Sequence, residues 1–144
     1  MKSTSIFLLV VAATCISGVN PETYYYDAAR AVYEQCAELG VYPGVAIYPD
    51  DNNVMNYFVS YEEGYNSSNF RSKVGIPIII VGNISAQTSW SSDLLFIAFD
   101  HDTFVISTSD CRYIYNNFSD WSFSRLEQEL SNRTEYMAWG TLDL

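Results

Sequence analysis

The one histidine of the sequence, His101, stands between two aspartates in "FDHDTFVIST", Phe99 to Thr108. A general base held by a carboxylate, a metal ligand set and a tight turn between strands would each use these residue types. Catalysis would need a serine nucleophile in reach of the imidazole, and no stretch resembles the elbow that presents one. A zinc site takes several His or Cys ligands, which one histidine and two cysteines able to pair do not supply. Asp50 and Asn52 resemble the start of a calcium loop, but its glycine and distal glutamate are missing. The neighbouring acids Asp50-Asp51 and Glu62-Glu63 would point to opposite faces of a strand, so neither pair can flank a glycosidic bond. The expectation is a protein that is not an enzyme, with no catalytic residue, metal or cofactor. Asp100-His101-Asp102 is then a hairpin corner.

The elements that would hold such a corner are rich in aromatic and β-branched residues, with turn residues every ten or so positions. That pattern predicts a single antiparallel sheet, sandwich or barrel. "TYYYDAARAV" reads as a first strand, though its alanines also suit a helix. "VYPGVAIYPDDNNVMNYFVSY" reads as a hairpin turning at Pro49 to Asn53. "IPIIIV" (Ile76 to Val81) reads as a buried strand with Pro77 near its start. "SAQTSWSSD" reads as a loop, and "LLFIAF" and "TFVIST" as strands around the corner. Near the end Leu126, Leu130 and Met137 fall at helical spacing, and Ser124 with Glu127 makes a capping box. One amphipathic helix stopped by Gly140 is expected there.

Met1-Lys2, the apolar run "IFLLVVAA" and the small residues of "TCISG" read as a signal peptide over residues 1–18, leaving one domain over 19–144. Loss of Lys2 with that leader takes the formal charge from −10 to −11, which disfavours nucleic acid and anionic membranes as partners. Sequons at Asn66, Asn83, Asn117 and Asn132 fit a secreted, extracellular glycoprotein. Cys36 and Cys111 remain after cleavage, and two cysteines in an oxidising compartment are expected to pair as a disulfide.

Three stretches in order resemble the lipocalin family, in particular its arthropod apolipoprotein D-like and bilin-binding members. "AFDHDTFVISTSDC" resembles the family's corner, with Asp100 at the motif's aspartate. "WSFSR" (Trp121 to Arg125) resembles its last-strand motif, and "TYYYDAAR" its first strand, with Tyr25 at the signature tryptophan. The resemblance implies an all-β, up-and-down antiparallel barrel of about eight strands, with one C-terminal helix packed outside. It implies barrel closure by Arg125 lying over Tyr25, with Asp100 at the corner.

Within such a barrel the inward alternating set would include Tyr57 and Val59, Phe104 and Ile106, with Ile78, Ile80 and Phe96 chosen from runs apolar on both faces. These seven residues are the expected ligand-binding set for a small hydrophobic molecule such as a lipid, sterol, pigment or odorant. The alternative is a degenerate lipocalin with a filled core, acting as a secreted protein-binding or inhibitor module through exposed aromatics such as Tyr42, Tyr48 or Trp90.

Overall fold

Ala28, Val32 and Cys36 recur at every fourth position and are fully buried, the stripe of a helix and not the alternation of a strand. They lie in α1 (Tyr25–Glu38) of the computed structural model, which describes residues 24–66 and 68–138. The tyrosines that suggested a strand, Tyr24, Tyr25 and Tyr26, are exposed at its start. Gly40 ends the helix at φ +84°, where its N–H donates to the Ala37 carbonyl and that of Val41 to the Cys36 carbonyl. That pairing needs a left-handed residue, which glycine adopts without strain.

The expected hairpin forms: β1 (Gly44–Pro49) pairs antiparallel with β2 (Met55–Ser60), in register from Gly44 opposite Ser60 to Pro49 opposite Met55. Asp50 builds the turn, its Oδ1 accepting from the N–H groups of Asn52 (2.8 Å) and Val54 (3.0 Å). A π-helical turn (Arg71–Gly75) then leads into α2 (Ile76–Ser85). This is the segment read as a strand. All ten of its residues are buried, and a helix enclosed on every side is apolar all round, so it shows no periodicity. Its β-branched run imitates a core strand, while Pro77 sits in the first turn, where a missing N–H costs nothing.

β3 (Ser92–Ala98) and β4 (Asp102–Ser107) form the second expected hairpin. α3 (Thr108–Asn117) follows β4 directly, capped by Ser107, whose Oγ accepts from the Asp110 N–H at 3.0 Å. A 3-10 turn (Phe118–Asp120) joins it to α4 (Phe123–Arg133), and β5 (Glu135–Ala138) returns to pair with β4. The α4 cap is Ser122, whose Oγ accepts from the Arg125 N–H at 3.1 Å, two residues before the expected Ser124. Met137 belongs to β5, not to that helix's stripe. Gly140 and the expected signal peptide lie outside the described residues.

The all-β, eight-stranded lipocalin-like barrel is therefore not what the chain forms. Among the described residues, five strands make one open sheet in the order β1-β2-β3-β4-β5, accompanied by four α-helices. β2 and β3 are parallel, and parallel neighbours need a crossover, which α2 supplies. An up-and-down barrel has only antiparallel neighbours, so that one connection excludes it. α2 and α3 cross at Gly82, where a Cβ would lie 2.2 Å from the Cys111 carbonyl oxygen; only glycine admits this approach.

Two cross-strand rows face the helices: Ile47, Tyr57, Leu95 and Ile106, and next to it Val45, Val59, Ile97, Phe104 and Tyr136. All but Val45 and Tyr136, at the sheet's edges, are buried in one core with α2, Val32, Ile114 and Leu130.

Candidate functional site

The other face of the same sheet carries a row that crosses all five strands: Ala46, Phe58, Phe96, Val105 and Glu135. Phe58 and Phe96 stack with ring centroids 5.0 Å apart, and Tyr48, 60 % exposed, leans on Phe58 at 5.7 Å. These side chains are only partly covered, as are Leu94, Ala98 and Met137 on the same face. Where β2 runs irregularly against β3, Asn56 Oδ1 accepts from the Leu94 N–H at 3.1 Å and closes the gap. A groove of about 210 Å³ opens beside Leu94 and Val105, with Glu135 and Arg133 at its border.

Charge divides the two sides of the molecule. The strands hold no Lys or Arg, and their charged residues are Asp93, Asp102 and Glu135. Asp50, Asp51 and Asp100 lie in the turns between them. The described cations sit on helices and the π-helical turn, most of them tied to carboxylates. Arg30 holds Asp27 (3.0 Å), Arg71 holds Glu127 (2.7 Å), Lys73 holds Glu63, and Arg125 reaches Glu129 (3.3 Å). Arg133, at the border of the groove, is claimed by Asp110 at 2.5 Å and Glu129 at 2.7 Å. Its guanidinium holds the Glu129 carboxyl below the usual range. What this face presents is an aromatic centre bordered by Glu135, since Asp93 and Asp102 alternate to the helix side with Leu95 and Phe104, where Asp102 accepts from the Tyr136 hydroxyl at 2.6 Å.

The expected ligand-binding residues divide between the two faces. Tyr57, Val59, Ile78, Ile80, Phe104 and Ile106 are packed into the solid core, while Phe96 points away from them on the open face. Sequence alternation in "VMNYFVSY" identifies the buried set correctly. It passes over Phe58, the aromatic between Asn56 and Ser60 on the opposite set, which was the available signal for the open face. Another cleft, about 240 Å³ and lined by Tyr65, Phe70 and Leu130 under the Arg71–Glu127 pair, is smaller than the ~300–1,000 Å³ common for drug-sized ligands.

The closure expected of a barrel is replaced by other contacts. Arg125 lies over Trp121 at 5.0 Å and beside Glu129, while Tyr25 is 51 % exposed in the first turn of α1. Asp100 meets His101 Nε2 at 3.1 Å in an exposed corner. No disulfide joins Cys36 to Cys111: they are buried on different helices, and burial pushes the Cys111 thiol up. Of the four sequons, Asn66 and Asn132 are exposed and Asn117 is half-buried. Asn83 is 5 % exposed within α2, its Oδ1 accepting from Gln87 Nε2 at 2.9 Å, out of reach of a glycan in the folded chain. Of the aromatics expected outside, Tyr42 and Tyr48 are exposed, whereas Trp90 is partly buried with its Nε1 inside.

Among the described residues no helix is long and apolar enough to cross a membrane, and no cluster of three or more His, Cys, Asp or Glu could hold a metal ion. No family model matches the chain, and no curated protein or solved structure matches it.

Proposed function

We propose that this protein is a secreted protein-binding module whose open sheet face docks a partner that is apolar at its centre and basic at its rim. The observation that carries this reading is the partly exposed aromatic cluster of Tyr48, Phe58 and Phe96 on a sheet whose strands hold no cation. Contiguous apolar surface of this kind marks interaction sites, and aromatic residues dominate the energetics of such patches. Glu135 at the border, on strands without Lys or Arg, disfavours anionic partners and favours cationic ones. Carriage of a small hydrophobic molecule in the interior has less support, because six of the seven side chains expected to line a cavity fill the core instead.

Two labelled strand-forming peptides, one alternating Lys with Leu and one alternating Glu with Leu, test the proposal by fluorescence anisotropy. The Lys-Leu peptide should bind saturably, the Glu-Leu peptide should not, and the double variant Phe58→Ser/Phe96→Ser should lose at least tenfold in affinity. Equal binding of both peptides, or unchanged affinity in the double variant, overturns it. So does a dimer in sedimentation that the double variant dissolves, because the face would then be occupied by a second copy.

A further inference from the structure

On the helix side of the sheet, the segment after β2, the π-helical turn and α4 border a cleft of about 240 Å³. Its apolar wall is Tyr65, Phe70 and Leu130, and its polar groups are Arg71, Glu127 and Ser131. Aromatic packing fixes that wall. Tyr65 meets Phe104 at 4.9 Å and Phe99 at 5.6 Å between ring centroids, and Phe70 meets Phe104 at 5.7 Å. Phe99, Phe104 and Leu130 belong to the core, so the cleft has its shape before any ligand arrives, as ligand sites usually do.

The charged pair at this cleft is only partly used. Arg71 Nη2 lies 2.7 Å from Glu127 Oε1, the one ion pair that either side chain makes among the described residues. The guanidinium also rests over the Phe123 ring at 4.8 Å, a contact of its face that leaves its edge free to donate. A guanidinium carries several N–H donors and a carboxylate two acceptor oxygens, so most of the pair's bonding capacity is open. Both side chains are partly exposed, and exposed ion pairs contribute little, so re-pairing them with a ligand is cheap. Arg71 also opens the π-helical turn, a rare conformation that concentrates at functional sites. The two charges cancel, and that selects the ligand. A lone anion would take Arg71 and strand Glu127, and a lone cation would do the reverse. A zwitterion exchanges one ion pair for two and leaves no charge unmatched. The volume equals roughly eight waters at about 30 Å³ each, room for about ten non-hydrogen atoms. Phe70 and Leu130 offer water no hydrogen bonds, so an apolar group is the better filling.

We propose that this cleft binds a free α-amino acid with an apolar side chain. The ligand carboxylate takes the guanidinium fork of Arg71, its ammonium group takes the Glu127 carboxylate, and its side chain lies against Tyr65, Phe70 and Leu130. This site is separate from the open sheet face and stands if that reading fails.

Isothermal titration calorimetry with leucine and phenylalanine tests the proposal against three comparators. Isoamylamine lacks the carboxylate, isocaproate lacks the ammonium group, and glycine lacks the apolar side chain. At least one of the two amino acids should bind saturably, and every comparator should bind at least tenfold more weakly. Arg71→Gln and Glu127→Gln should each lose at least tenfold in affinity for that amino acid, with circular dichroism unchanged. Glu127, on the partly exposed side of α4, supplies the test alone if Arg71→Gln does not fold. The proposal is overturned if neither amino acid binds saturably, if any comparator binds within tenfold of the better one, or if a folded variant keeps the parent's affinity.

Discussion

The two faces of the sheet are built from similar residues and end in different degrees of burial. Toward the helices, Ile47, Tyr57, Leu95 and Ile106 sit opposite one another across four strands and are at most 3 % exposed. One residue along, Ala46, Phe58, Phe96 and Val105 make an equally apolar row that stays partly exposed. Composition does not separate them. What separates them is coverage, since α2 fills the space over one face, and coverage depends on how closely the helices can approach. A face is a core where helices close over it and stays partly exposed where, among the described residues, they do not.

The most damaging way to break that contrast is at Gly82. Its missing side chain lets α3 settle onto α2, and an added Cβ would meet the Cys111 carbonyl oxygen at 2.2 Å and carbon at 2.7 Å. Both are backbone atoms, so no side-chain rotation relieves the clash. Gly82→Ala should cost about 4 kcal/mol, above the usual range for overpacking, measured as the loss in denaturant unfolding free energy. An unchanged midpoint would mean that the two helices are not locked at this point.

A direct comparison of the faces uses adjacent residues on β3. Leu95 is fully buried and Phe96 is not. Leu95→Ala should destabilise by about 3 kcal/mol, the usual cost of a core cavity. Phe96→Ala, although it removes more carbon, should cost about 1 kcal/mol or less in the free protein, and its larger effect should fall on partner binding. Equal costs in chemical denaturation would make the open face a second core and remove the basis for docking.

Much of the sheet and the last helix were legible in the sequence, and the other helices were not, for identifiable reasons. The β1–β2 and β3–β4 hairpins announce themselves because Asp50 to Asn53 and Asp100 to Asp102 interrupt β-rich runs with side chains that favour turns. α4 is legible because Leu126 and Leu130 repeat against a polar background. α2 is hidden because burial on all sides erases the periodicity by which a helix is recognised, leaving "IPIIIV" to be judged on β-branching alone. α1 is masked by three exposed tyrosines preceding a stripe of small residues. Resemblance to a barrel corner rested on a hairpin that exists, but the parallel neighbours β2 and β3 depend on a crossover no short motif reveals.

Alkali should separate the faces next. Burial pushes the Tyr57 phenol up to about 12, and it pushes Tyr61 higher still; the Tyr61 hydroxyl donates to the Lys73 carbonyl at 2.6 Å. An unfolded tyrosine ionises near 10, so each contribution is intact below about pH 10 and is lost as pH rises through the folded value. Tyr57→Phe should lose about 2 kcal/mol less than the parent between pH 7 and pH 12, read from unfolding free energies. Identical pH profiles would place the Tyr57 hydroxyl in water.

The smallest effect concerns charge on the helix layer. Arg133 holds Glu129 below the usual carboxylate range by a direct hydrogen bond at 2.7 Å, and Arg125 adds to it. A depressed carboxyl contributes stability that is present above its unfolded value, about 4.3, and disappears as pH falls through the folded one. Glu129→Gln should therefore be slightly less stable than the parent at neutral pH, and the difference should vanish in strong acid. The deficit of Leu95→Ala comes from lost apolar contact, which does not titrate, so it should persist across the same range. Thermal midpoints of the parent and both variants at neutral and acid pH would show one gap closing and the other holding. If the Glu129→Gln gap also held in acid, its cost would lie in packing along α4, and Arg133 would not be the neutralised cation that leaves the open face acidic.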